Sequence, residues 1–255
     1  MARTIIVGNW KMHHGPEETR EFARNMAKKY DSEPSVEAVI CPPYISIPAL
    51  QNSSPKWLKS GAQNVFYEES GAFTGEISPK MLAELGTEYV VIGHSERRGI
   101  FGETDEQVNN KVRMALKYGL KPIICVGEQE KEREQGDTLR VVERQVITAL
   151  KELVSDNLSN AVFAYEPVWA IGTGKAATGD DAQEVCHHIR HVINEIAGEE
   201  VKDQIPILYG GSVKPENLDE FLQHNDVNGA LVGGKSLIAD TYCQLLEIAG
   251  GKNHD

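Results

Sequence analysis

The chain has 255 residues, 40% of them hydrophobic and 25% charged, which is enough to bury a large single core. Its formal net charge of -12 argues against nucleic acid or an anionic membrane as partner, so any anionic ligand must meet locally positive groups. Four cysteines (Cys41, Cys125, Cys186 and Cys243) form no Cys-x-x-Cys pair and sit mostly in apolar surroundings, as free thiols in a reducing compartment do.

In chain order, the first apolar run covers 4–7 and breaks at Gly8-Asn9, too short for a signal peptide. Pro16 then opens an amphipathic pattern, with Phe22, Met26 and Tyr30 at i, i+4 spacing. Further apolar runs fall at 36–41, 60–63, 89–92, 122–126, 162–165, 205–209 and 229–232. Several are nearly continuous, as strands buried on both faces are. Helical patterns cover 105–118, 138–153, 180–197, 215–222 and 241–248, with Asp105 and Asp137 read as N-caps. The last residues, 250–255, read as a frayed end.

Strands alternating with helices predict a parallel sheet. About eight such units in a chain near the roughly 250 residues of an α/β barrel predict one closed (β/α)8 domain over 1–255. No Gly-x-Gly-x-x-Gly follows an early strand, which disfavours a dinucleotide-binding fold. No stretch approaches transmembrane length, and a cytoplasmic protein is expected.

Active sites of such barrels lie at the C-terminal ends of the strands. There the first run ends Asn9-Trp10-Lys11, the fourth Gly93-His94-Ser95-Glu96, and the sixth at Glu166. The seventh ends Gly210-Gly211-Ser212 and the eighth Gly233-Gly234. Pro167 keeps Glu166 out of the α region, so its carboxylate ends an extended strand. The stretch 168–173 then reads as an apolar flap able to exclude water beside a base. His94 precedes an apparent helix start, whose positive end disfavours imidazolium. The two Gly pairs occupy the loops that most often hold phosphate in this architecture, through backbone N–H groups. Each residue taken singly has a plainer reading: a solvated Lys, a core His, a turn glycine. Together, at the ends of separate strands, they point to one site.

These motifs, together with Ala62-Gln63-Asn64 and Gly71-Ala72-Phe73-Thr74-Gly75-Glu76, resemble the triosephosphate isomerase family across essentially the whole chain. The resemblance implies interconversion of dihydroxyacetone phosphate and glyceraldehyde 3-phosphate, in glycolysis and gluconeogenesis, without a cofactor. It assigns Glu166 as the base, His94 as a neutral imidazole polarising the carbonyl, Lys11 as the positive charge and Asn9 as a hydrogen-bond donor. Gly172, Ser212, Gly233 and Gly234 would bind phosphate, Ser95 would hold Glu166 at rest, and Glu96 would support them. Phe73, Thr74 and Glu76 would dock into a second copy beside Asn9 and Lys11, implying a homodimer.

Two details depart from the family's usual pattern: the trailing hinge Lys175-Ala176-Ala177, and Lys235, where a small residue is more common. Lys235 either adds positive potential near the phosphate or, on the plainer reading, points to solvent. Competing readings are a Schiff-base lyase using Lys11, a metal-dependent epimerase, and a non-catalytic phospholigand binder. The strand ends lack the clustered His and acidic ligands that the epimerase requires, so no metal site is expected.

Overall fold

In β1 (Ile5–Asn9), Ile5 and Val7 join one apolar cluster and Ile6 another, and all three are fully buried. That alternation recurs around the sheet and explains the continuous apolar runs, since a strand with helices outside and other strands inside has no polar face. The computed structural model describes residues 3–30, 33–153, 158–171 and 177–251. Seven strands follow the first: β2 (Glu37–Cys41), β3 (Leu58–Ala62), β4 (Tyr89–Ile92), β5 (Lys121–Val126), β6 (Val162–Tyr165), β7 (Ile207–Tyr209) and β8 (Gly229–Val232). They close into a barrel in which every neighbouring pair is parallel, and β1 pairs with β8 from Ile5↔Gly229 to Gly8↔Val232.

The inner cluster includes Ile5, Val39, Val91, Ile123, Ala164 and Leu208. The outer cluster lies between the sheet and the helices. Those helices are α1 (Pro16–Lys29), α2 (Ile47–Ser53), α3 (Pro79–Glu84), α4 (Ser95–Phe101), α5 (Asp105–Lys117) and α6 (Glu130–Glu134). Along the second half of the chain come α7 (Thr138–Leu150), α8 (Gly179–Ala197), α9 (Glu199–Lys202), α10 (Pro215–Leu222) and α11 (Ala239–Gly250). The (β/α)8 expectation holds, and Pro16 is at the start of its helix as read.

Several local expectations require correction. β1 continues through Gly8 and Asn9, which pair with Ile40 and Cys41. Gly8 is there for space rather than for a turn: a Cβ would stand 2.6 Å from Ile40 Cδ1 and 2.8 Å from Ser236 Cβ. Asp105 is the first helical residue of α5 and not its cap. Thr104 Oγ1 accepts from Gln107 N (3.2 Å) and Gln107 Oε1 accepts from Thr104 N (3.0 Å), a reciprocal capping box. The Asp105 carboxylate is taken by Arg98 (2.5 Å) and Arg144 (3.1 Å) instead. Asp137 does occupy the cap of α7, but its carboxylate binds Arg140 and caps no backbone N–H. β7 begins at Ile207, not 205. The helices α2, α3, α6 and α9 were not anticipated, and each is too short to display a 3.6-residue repeat. Gly250 closes α11, and 252–255 lie outside the described residues.

Candidate active site

At the C-terminal mouth of the barrel, Asn9, Lys11, His94, Glu166, Ser212, Gly233 and Gly234 line one cavity of about 420 Å³. The sequence-predicted residues thus converge from five strand ends. Gly172 falls outside the described residues, as does most of the trailing hinge. Of the flap, 168–171 are described: Val168–Ala170 is a 3₁₀ turn with Ala170 buried, and Ile171 lines the cavity.

Glu166 is placed by backbone. Its N–H donates to Val126 O at 2.8 Å, continuing the ladder one residue past β6. Its side chain is only 2% exposed and accepts from Ser95 N (2.9 Å) and Ser95 Oγ (3.2 Å), with His94 Nε2 3.0 Å from Oε1. Burial alone would raise its pKa, but His94 and the two Ser95 donors outweigh burial and hold the carboxyl below its ordinary value. The carboxyl is therefore ionised at neutral pH, with Ser95 as its hydrogen-bond donor.

His94 is the N-cap of α4, and its Nδ1 accepts the N–H of Glu96 at 3.2 Å. Burial disfavours charge on this ring, while the Glu166 carboxylate favours it and carries the pKa upward. The Glu96 N–H takes a lone pair on Nδ1, an arrangement that favours the tautomer with its proton on Nε2, while Glu96 Oε2 lies 3.6 Å from the same Nδ1. Nε2 is the ring atom that faces Glu166, and His94 lines the cavity.

Lys11 is held from three directions. Its N–H donates to Asn9 Oδ1 (3.1 Å), its carbonyl accepts from Gln63 Nε2 (2.8 Å), and its Nζ lies 2.7 Å from Glu96 Oε1. It has φ 51°, a left-handed conformation that costs a non-glycine residue about 1–3 kcal/mol. The surrounding bonds maintain it, and the ammonium is turned toward the cavity. A Cβ on Gly233 would stand 3.8 Å from Lys11 Cε, so the lysine stem runs beside that Gly pair.

Some participants were given no role by the sequence reading, although Trp10 and Gln63 lie within its motifs. Gln63 bridges Lys11 O and Cys41 O (2.9 Å), fastening β2 to the loop after β1. Trp10 Nε1 donates to Ser236 O at 3.0 Å, joining the Lys11 loop to the Gly pair after β8. Glu128 is fully buried beneath the flap and accepts from Trp169 Nε1 (2.8 Å) and Tyr165 OH (3.2 Å). Nothing local marks these residues, because their partners are remote in sequence. Phe73, Thr74 and Glu76 do not line the cavity. All three are exposed on a loop where Phe73 packs on Phe66 with ring centroids 4.8 Å apart. Lys235 is exposed and lines the cavity mouth.

The arrangement sets an ionised carboxylate and an imidazole 3.0 Å apart in one cavity. Lys11, the backbone of two Gly pairs and Ser212 line the same cavity. Such a site can move a proton on carbon next to a carbonyl while an anionic group is anchored nearby. A family model described as triosephosphate isomerase matches residues 4–249. A triosephosphate isomerase of Natranaerobius thermophilus is 70% identical over 249 residues, covering 98% of this chain and 97% of that protein. Those of Carboxydothermus hydrogenoformans and Ligilactobacillus salivarius are each 47% identical, over 251 and 247 residues, covering 97% and 96% of this chain.

Proposed function

The chain belongs to the triosephosphate isomerase family, and from that premise we propose that it interconverts dihydroxyacetone phosphate and D-glyceraldehyde 3-phosphate through an enediolate. It is an isomerase of triose phosphates, and its own residues account for the steps. Glu166 takes a proton from C1 of the ketose and returns it to C2. His94 donates its Nε2–H to the carbonyl oxygen and passes a proton between the two oxygens. A glutamate base with a neutral imidazole is the pairing for which this family is itself the standard example. Lys11 stabilises the negative charge on the enediolate, and Asn9 donates a hydrogen bond to substrate. Ser212, Gly233 and Gly234 bind the phosphate, joined by Gly172 from the flap. Ser95 releases Glu166 when the flap, 168–173, closes and expels water, and Glu96 keeps Lys11 and His94 in place.

Magnitudes support sharing the work in this way. An unperturbed glutamate, with a pKa of about 4.3, is a weak base for a carbon acid. General base catalysis supplies roughly 10²–10⁴-fold. Each donor aimed at the developing oxyanion adds about 3–4 kcal/mol in comparable sites. Lys11, Asn9 and His94 are the groups available for that.

The observation that carries this reading is the 3.0 Å approach of His94 Nε2 to the Glu166 carboxylate inside the cavity that the two Gly pairs close. A coupled isomerase assay tests it. Glu166→Gln is expected to lower kcat by about 10²–10⁴-fold with the fold intact, and retained activity would overturn the role of Glu166. We place the enzyme in glycolysis and gluconeogenesis and in the cytoplasm. Among the described residues no helix is long and apolar enough to cross a membrane. We also propose a homodimer, in which the loop of Phe73, Thr74 and Glu76 docks beside Asn9 and Lys11 of a second copy. Support for this comes from the exposed apolar side chains Met12 (93%), Ile45 (72%) and Phe73 (42%).

A further inference from the structure

Two lysines, Lys11 and Lys235, stand at the wall of the cavity, and their electrostatic surroundings differ. The Lys11 ammonium is answered by Glu96 at 2.7 Å. Glu166 puts a further carboxylate into the same cavity. Lys235 begins the exposed side of the 3₁₀ turn Gly234–Leu237, and among the described residues it has no carboxylate partner. It directly follows Gly233 and Gly234, so its charge is carried beside that glycine pair at the cavity. Ser236, the next residue, is fully buried, with Oγ bonded to Gly233 O (2.7 Å) and Val232 O (3.1 Å). The backbone that carries Lys235 is therefore fixed even though its side chain is exposed.

A phosphate dianion approaching a protein of net charge -12 meets repulsion at long range. Only positive potential at the mouth can reverse that over the last Debye length, about 8–10 Å at ordinary salt. Lys11 is recessed and paired. We propose that Lys235 is the capture residue for the phosphate: it speeds association of the dianionic substrate and adds affinity at the rim, and takes no part in the proton transfer. This rests on the reading of the site as one for a triose phosphate, and it names a substrate-selecting residue that the shared motifs do not contain.

The test is the salt dependence of kcat/KM for wild type, Lys235→Ala, Lys235→Glu and Lys235→Arg. Lys28→Ala on the outer face of α1 serves as a control of equal charge change. At low ionic strength Lys235→Ala is expected to lower kcat/KM by about threefold to tenfold, within the range of electrostatic steering. Its kcat should stay within about twofold of wild type, and its plot against salt should be flatter. Lys235→Glu should fall further, and Lys235→Arg should restore the wild-type slope. Near 1 M salt, where the Debye length is about 3 Å, the variants should converge. Inhibition by inorganic phosphate should weaken in the same order. An unchanged salt slope in Lys235→Ala, or a loss equal to that of Lys28→Ala, would overturn the proposal. So would a loss confined to kcat. Inactive wild-type enzyme would instead overturn the reading of the site, so the two failures are distinguishable.

Discussion

A Cβ on Gly210 would stand 3.0 Å from Cγ of Glu166 and 3.1 Å from the carbonyl of Tyr165. Its backbone is not in the left-handed region, so alanine would meet no torsional objection there, only a steric one. The part free to give way is the side chain of Glu166. Gly210→Ala is therefore expected to lower kcat by about tenfold to a hundredfold, the scale of a misplacement near 1 Å, with little change in KM. Steady-state kinetics on the folded variant check this, and an unchanged kcat would mean that the carboxylate has slack. The same scale shows why some residues were legible and others not. Glu166 and His94 could be read because each is a lone titratable group at the end of an apolar run. Gln63 could not, because its importance lies in two carbonyls, those of Lys11 and Cys41, which no sequence pattern places beside it.

At the scale of elements, the opposite end of the barrel is organised around Asp226, just before β8. It accepts from Arg190 Nε (2.6 Å) and Gln183 Nε2 (2.7 Å), and it lies 2.9 Å from His187 Nδ1, all on α8. Arg190 also donates to the carbonyls of Lys202 and Ile205 and to Asn228 Oδ1. One helix is thus tied to the approaches of both β7 and β8. Burial alone would raise the Asp226 pKa, but the bonds from His187, Gln183 and Arg190 prevail and hold it below its ordinary value. A carboxyl lowered in the folded state stabilises above its unfolded pKa, near 3.9, and loses that contribution as pH falls through the folded value. Asp226→Ala should cost about 3 kcal/mol or more at neutral pH by leaving Arg190 without its anion. The gap from wild type should close below about pH 4. Denaturant unfolding at several pH values checks both, and a gap independent of pH would refute the charge account. Helix starts illustrate a limit of sequence reading at this scale. Thr104 and Asp105 are both good caps, and the choice fell to Thr104 because Arg98 and Arg144 claim the Asp105 carboxylate.

For the whole molecule, closure of β1 on β8 is what turns scattered strand ends into one mouth. The exposed apolar residues Met12 and Phe73 on that side bear on assembly. Light scattering is expected to give twice the 28.2 kDa chain mass for wild type, and a shift toward the single-chain value for Phe73→Glu with Thr74→Glu. A wild-type monomer would refute the dimer. By itself, the sequence determined the fold class and the identity of the chemical groups. Strands buried on both faces must read as continuous apolar runs, and a polar residue ending such a run has few roles to fill. Only the tertiary structure decided the state of those groups. The upward pull of Glu166 on the His94 pKa, the lowered pKa of Glu166, the Lys11–Glu96 ion pair and a Lys235 with no carboxylate partner among the described residues all depend on which partner stands within about 3 Å, the reach of a hydrogen bond. Those partners come from other strands, so their distances exist only once the barrel has closed.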